Sequence, residues 1–349
     1  MSVPAARTTP TETSWTARSL PAWVYNDPRL TQLEIERILK PSWQIAGHIS
    51  QISRPGDYIT FELGADSIIV LRDAGGAIRA LRNVCRHRGT RLLEGTGHCP
   101  GRITCPYHGW TYRYDGSLLA TPARDSFPGL DLREHSLEAV HMEVVLGFVW
   151  VCLAREAPPP PSALWAPITE ELAPYRLEEL VQTQPLYHEE WQVDWKIAMD
   201  NYLESYHVPI GHPGLNRMFT PDYDDQRNFE GVARGISWLR ERPSSRWSER
   251  MYQQMIEKVA TDLPEPHRRR WSFYSLLPNL GIDVFPDQMD FFQVLPRGPG
   301  KCTIRGASCS VTTPGFEAPS WLWKITRSPA LSNWSPPTMT RRPLIALRS

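Results

Sequence analysis

Four residues in two short stretches carry the most specific chemistry in the sequence: Cys85 and His87, then Cys105 and His108. Each stretch offers one thiolate and one imidazole, and residues 88–104 lie between them. A set of two cysteines and two histidines can bind zinc or an iron–sulfur cluster. Zinc fingers pair Cys with Cys and His with His in separate knuckles. Here each knuckle is mixed, as two loops clamping a two-iron cluster from opposite sides require. One iron then takes both cysteines and the other both histidines. Imidazole is neutral where thiolate is anionic, so the reduced cluster is penalised less and its potential rises. Gly89 and Gly109 suit tight turns beside the sulfides, and Pro106 stiffens the second loop. His98 and Cys99 lie between the loops but off ligand spacing. Cys152 sits in an apolar run and reads as core, and Cys302 and Cys309 have no partner motif.

A second constellation lies in Asp200–Leu215, DNYLESYHVPIGHPGL. Glu204 and His207 are three apart, on one face of a helix expected over Trp191–Tyr206. Pro209 and Gly211 are expected to break that helix and to deliver His212 from the loop beyond it. Two imidazoles and one carboxylate on one face, with positions left open for oxygen and substrate, make a mononuclear iron site. His48, His135, His141, His188 and His267 lack such neighbours and read as structural or exposed. Trp195 reads as a packing residue.

The elements that must position these groups follow from pattern. Leu30–Lys40 has apolar residues at helical spacing, ended by Pro41. Residues 42–156 read as an all-β module. Tyr58–Glu62 alternates apolar and polar, Ser67–Arg72 is a compact apolar strand, and Asp73–Gly76 turns into a return strand over Ala77–Val84. Val144–Leu153 reads as one buried strand. Residues 157–162, APPPPS, cannot join a helix interior or a sheet and form the linker. Residues 163–349 form the second domain, with strands at Leu280–Phe285 and Met289–Leu295.

Composition sets bounds. The 349 residues suffice for two domains, with 41% hydrophobic and 22% charged. Thirty-eight basic and 38 acidic side chains cancel, which argues against nucleic-acid or anionic-membrane partners held by bulk charge. Thirty-three prolines favour a loop-rich, β-containing fold. The longest apolar run, Val144–Ala154, is too short to span a bilayer, and residues 1–20 show no secretory signal. Six cysteines are too few for a disulfide scaffold, so a cytoplasmic setting is expected.

On these motifs the sequence resembles the large (α) subunit of the Rieske non-heme iron oxygenases, the aromatic-ring-hydroxylating class. Asn83–Gly89 (NVCRHRG) and Cys105–Trp110 (CPYHGW) match that family, and the resemblance covers roughly residues 20–327. It implies an α+β chain: an N-terminal leader and helix (1–41), a Rieske all-β domain holding a 2Fe-2S cluster (42–156), and a helix-grip catalytic domain (163–349). It maps mononuclear Fe(II) to His207 and His212, and it maps Glu204 to the acid that bridges to the Rieske histidine of a neighbouring subunit. A homotrimer is implied, with electrons from NAD(P)H arriving through a reductase or ferredoxin, and O2 and a small molecule as substrates. Family members acting on aromatic rings typically carry Asp at the position of Glu204; Glu is commoner in the branch that oxidises quaternary or N-methyl amines.

The family's third iron ligand is an Asp on a late helix. Trp323–Arg327 resembles the opening of that helix, yet residues 318–349 contain no Asp or Glu and Glu317 is the last acid. The native tail is therefore expected to be lost or replaced from about Ser328. Asp283, Asp287 and Asp290 are poor substitutes because they lie in strand-like segments. Two other readings follow: an electron-transfer protein with a silent second domain, and a binding protein with structural zinc.

Overall fold

The computed structural model describes residues 20–221, 224–225 and 231–310. The tail beyond Ser328 lies outside them, as does the stretch expected to open the late helix.

The first helix, α1 (Pro28–Glu34), begins where Asp27 accepts the backbone N–H of Arg29 and proline fills the first turn. It continues through Leu39 in a widened turn, with Lys40 N–H donating to Ile35 O. Ile35 and Leu39 face inward, while Leu33 and Ile38 stay exposed.

The all-β module is built from β1 (Gln44–His48), β2 (Asp57–Leu63), β3 (Asp66–Arg72), β4 (Ile78–Arg82) and β5 (Thr96–His98), followed by the small strands β6 (Ile103–Thr104), β7 (Thr111–Tyr112) and β8 (Leu118–Ala120). Strand β2 alternates as expected, with Asp57, Ile59, Phe61 and Leu63 inside. Strand β3 is continuously apolar from Ile68 to Leu71 because both faces are covered there. Ile68 and Val70 join the interior of the module, while Ile69 and Leu71 join the cluster beneath the Cys/His loops.

The expected single strand over Val144–Leu153 is instead a hairpin. Strands β9 (His141–Val145) and β10 (Phe148–Cys152) pair antiparallel around Leu146–Gly147. Both turn residues have positive φ, 55° and 75°, which is the two-residue geometry that matches strand twist. The apolar run arises because β10 is covered on both sides. Val149 and Val151 face the interior of the all-β module, and Phe148, Trp150 and Cys152 face the second domain. Residues 157–162 lie against that junction, where the Trp43 indole donates to Pro159 O. Helix α2 (Pro161–Trp165) starts within the run, with proline at its first position. A short α3 (Thr169–Leu172) follows.

The second domain is an eight-stranded antiparallel sheet, the α+β architecture expected. Its path runs β11 (Val181–Gln182), β18 (Lys301–Ser310), β17 (Gln288–Gly298), β16 (Leu280–Val284), β15 (Arg270–Leu276), β14 (Val232–Trp238) and β13 (Asp224–Asp225), and β12 (Tyr187–Trp191) also pairs with β18. One face of the sheet packs on β10: Phe291 meets Phe148 at 4.9 Å and Tyr274 meets Trp165 at 5.7 Å between ring centroids. Arg305 pins this junction, donating to Ile45 O, Ala46 O and Gln293 Oε1.

The opposite face carries helices. Helix α4 (Trp195–Tyr202), capped by Asp194, packs Trp195, Ala198 and Met199 over Val294, Cys302 and Ile304. The helix expected over Trp191–Tyr206 is thus shorter: Trp191 ends a strand paired with β18, and the helix stops at Tyr202. Helices α5 (Val208–Gly211) and α6 (Pro213–Met218) follow, and then α7 (Trp247–Val259). Pro209 and Gly211 do not end α4, which has already stopped: Pro209 lies in the first turn of α5, where proline is tolerated, and Gly211 is the last residue of α5. No helix among the described residues is long and apolar enough to cross a membrane.

Candidate metal centres

The two Cys/His loops are near copies of each other. Cys85 N–H donates to Thr90 O and Gly89 N–H to Cys85 O; Cys105 N–H donates to Trp110 O and Gly109 N–H to Cys105 O. Gly89 and Gly109 take φ of 70° and 71°, the left-handed region that makes glycine necessary there. The loops bring His87 and His108 to 4.7 Å between ring centroids, and Trp110 stacks on His87 at 4.9 Å.

The donor set fits a two-iron cluster. Cys85 and Cys105 are buried free thiols. The Cys85 thiol is held above its ordinary pKa, chiefly by burial, so a metal must displace its proton. His87 is pushed below its ordinary value by desolvation and then by His108, which favours the neutral, ligand-ready imidazole. His87 Nδ1 is buried without a hydrogen-bond partner. Among the described residues no three His, Cys, Asp or Glu side chains converge on one metal position.

The sequence reading missed Tyr112. Its buried hydroxyl lies 3.2 Å from Cys85 Sγ and accepts Arg86 N–H at 3.0 Å. The signal available was its place in β7, immediately after the second loop.

The second constellation assembles differently from the expected helix face. Glu204 lies in the bend after α4, where its Oε2 accepts His207 N–H at 3.0 Å and its Oε1 sits 2.6 Å from His207 Nδ1. A proton held at Nδ1 leaves Nε2 as the metal-facing nitrogen. His212 is the junction between α5 and α6, only 5% exposed, and its ring lies 5.0 Å from that of His207. Glu204 therefore orients His207 and does not complete a three-ligand set. The described residues fit two of the three protein ligands such an iron uses. Tyr206 and Ile210, flanking His207, are 89% and 88% exposed.

The remaining residues read as structural are placed accordingly. His48 is buried and pushed down to about 4 by desolvation. His98 pairs with Asp57 at 2.9 Å, and Cys99, Cys152, Cys302 and Cys309 are buried. Trp195 does more than pack, since its indole donates to Glu34 at 2.8 Å.

Comparison with known proteins defines the class. The Rieske 2Fe-2S domain matches residues 42–136, and the catalytic domain of the ring hydroxylating alpha subunit matches residues 178–320. The chain thus carries a Rieske domain followed by the catalytic domain of a ring hydroxylating alpha subunit. A glycine betaine monooxygenase oxygenase subunit from Chromohalobacter salexigens is 37% identical over 207 residues, 59% of this chain and 46% of that protein. A carnitine monooxygenase oxygenase subunit from Acinetobacter pittii is 32% identical over 213 residues, 58% of this chain and 54% of that protein. The matches thus span about half the length of these curated relatives. A quaternary ammonium Rieske monooxygenase in complex with L-carnitine shares the fold with a TM-score of 0.71 at 23% identity, covering 87% of this chain and 78% of that one. Naphthalene 1,2-dioxygenase from Rhodococcus sp. shares it with a TM-score of 0.67 at 23% identity, covering 88% and 75%.

Proposed function

We propose that the chain is the oxygenase component of a Rieske monooxygenase that hydroxylates an N-methylated, quaternary ammonium small molecule. The observation that carries this reading is the pairing of His207 with His212 beside Glu204, in a chain that also holds the Cys/His double loop. The curated relatives named for glycine betaine and carnitine favour an amine over an aromatic ring, and so does Glu at position 204.

The proposed ligands of the 2Fe-2S cluster are Cys85, His87, Cys105 and His108; those of the mononuclear iron are His207 and His212. When bound, these groups supply one-electron transfer and dioxygen activation. The chain's own contribution is positional. The twin loops and the Trp110 stack hold the imidazoles, Glu204 fixes the His207 tautomer, and burial keeps water from His212. Hydroxylation consumes one O2, two electrons and two protons, and releases water. A hydroxyl on a carbon attached to the ammonium nitrogen then lets that C–N bond break to a carbonyl product and an amine. Electrons come from an NAD(P)H-dependent reductase or a ferredoxin. We place a homotrimer here, with Glu204 reaching toward a neighbour's Rieske histidine; the exposed Tyr206 and Ile210 beside His207 support such a contact. Six free cysteines support a reducing, cytoplasmic setting. We take residues 157–162 as the domain boundary.

Oxygen uptake with a surrogate reductase tests the reading. Uptake with glycine betaine or carnitine, accompanied by a carbonyl product, is expected. Uptake with benzoate but not with the amines would overturn it.

A further inference from the structure

The helix-covered face of the catalytic sheet holds an unexplained row. Strand register aligns Gly235, Phe273, Asp283, Asp290 and Ser308 side by side across β14 to β18. Side chains alternate along each strand, so Phe292 and Ser310 share that face with Asp290 and Ser308. Tyr202, the last residue of α4, reaches onto the row: its hydroxyl donates to Asp283 Oδ1 at 2.5 Å and its ring meets Phe292 at 4.6 Å. His207 lies five residues further on. At the far end of the His-bearing segment Phe219 rests on Trp271, at 4.9 Å, on this same face. The segment that carries the histidine pair is thus anchored at both ends on this face of the sheet.

Asp283 and Asp290 are only 8% and 7% exposed. Among the other buried carboxylates of the described residues, Asp287, in the turn between β16 and β17, also lacks a basic partner and accepts from Tyr252, while the rest have one. Lys196 serves Glu34 and Asp194, Arg217 serves Glu249, and His98 and Arg54 serve Asp57. Asp283 and Asp290 have no Lys, Arg or His partner among the described residues. Their contacts are neutral donors: Tyr202 for Asp283, and Gln288 Nε2 (3.2 and 3.3 Å) with Ser308 for Asp290. A second, separate sign is Ser310 Oγ, 98% buried and without a hydrogen-bond partner among the described residues, across from Gln288 on this face.

We propose that Asp283 and Asp290 form the anionic floor of a pocket for a quaternary ammonium nitrogen, walled by Tyr202, Phe273 and Phe292. The inference deepens the amine reading above and rests on it. Unpaired carboxylates are costly to bury, and a cation removes that cost. Neutral donors supply hydrogen bonds to both carboxylates but no counter-charge. A cation with no N–H, seated against aromatic faces, supplies that charge. Burial raises Asp283 to about 7, and burial together with the neighbouring Asp283 and Asp287 raises Asp290 to about 8, the direction expected where the counter-charge arrives with a ligand.

Calorimetric titration of the purified holoprotein with choline, and with its uncharged carbon isostere 3,3-dimethylbutan-1-ol, tests the pocket. Wild type should prefer choline by about tenfold or more, the scale of one charge contact in a half-buried site. Asp283→Asn and Asp290→Asn should each cut that preference to about threefold or less while leaving the affinity for the alcohol and the iron content unchanged. Wild type binding both compounds equally, or neither, overturns the proposal, as do variants that keep the preference or lose iron. Amine-dependent oxygen uptake by wild type separates the two readings: if it persists while the choline preference is absent, the oxygenase assignment stands and this pocket falls.

Discussion

Tyr112→Phe perturbs the proposed electron relay by removing one oxygen atom. Tyr112 is fully buried, and its hydroxyl lies 3.2 Å from Cys85 Sγ. Burial raises the phenol's pKa, so it remains a donor across the working pH range. A hydrogen bond to a charged acceptor contributes about 1.5–3 kcal/mol. The electron added on reduction is shared over the cluster, so roughly a third of that bond, ~0.5–1 kcal/mol, depends on redox state. For one electron, 59 mV corresponds to about 1.4 kcal/mol, so the variant's potential should fall by ~20–45 mV. Loss of the hydroxyl also frees Arg86 N–H, at a stability cost of about 1 kcal/mol. The assay is a potentiometric titration followed by visible absorption and electron paramagnetic resonance. A shift below ~10 mV, or an upward shift, with cluster content unchanged would refute the reasoning.

Further outcomes follow from the same geometry. Glu204→Gln should lower mononuclear iron affinity by about 10–100-fold, because His207 loses the carboxylate on Nδ1, while the Rieske spectrum stays intact; iron analysis with spectroscopy checks this. Arg305→Met should cost roughly 3–5 kcal/mol in urea unfolding, since three buried acceptors, two of them β1 carbonyls, lose their donor. Asp283 and Asp290 have folded pKa values raised above the unfolded value of 3.8, so the folded state holds protons that the unfolded chain releases. Stability of the unliganded protein should therefore fall as pH rises from about 4 through 8, and Asp290→Asn should flatten that slope in thermal melts at pH 5.5 and 8.5. The groups facing the two acids are Tyr202 from α4, Asp287 from the β16–β17 turn, and Ser308 from β18; Tyr252 from α7 holds Asp287. A melting temperature that rises with pH over this range would contradict the assignment.

The cluster loops were legible because their chemistry is local. A Cys-x-His and a Cys-x-x-His motif, each followed within two residues by a glycine that the turn requires, define a fixed short geometry whatever surrounds them. Strands β2 and β3 were legible because alternation and continuous apolarity report one covered face or two. The hairpin at Leu146–Gly147 was not, since both strands of that run are apolar and only pairing distinguishes a turn between them. The end of α4 was misplaced for a similar reason. Tyr206 continues the helical spacing of apolar residues, yet it lies almost wholly in solvent, and the chain turns away at Leu203.

The Cys/His loops were readable from sequence because they rest on contacts within a few positions along the chain, whereas the role proposed for His207 and His212 came from the resemblance to a family. Tertiary structure decided what depends on register across the sheet: the hydroxyl of Tyr112 at Cys85, the hold of Arg305 on β1, and the meeting of Asp283 with Asp290 beneath Tyr202. Asp283 and Asp290 are seven residues apart, and nothing in that interval says they face the same way. Antiparallel pairing of β16 with β17 places them side by side, without a basic partner among the described residues.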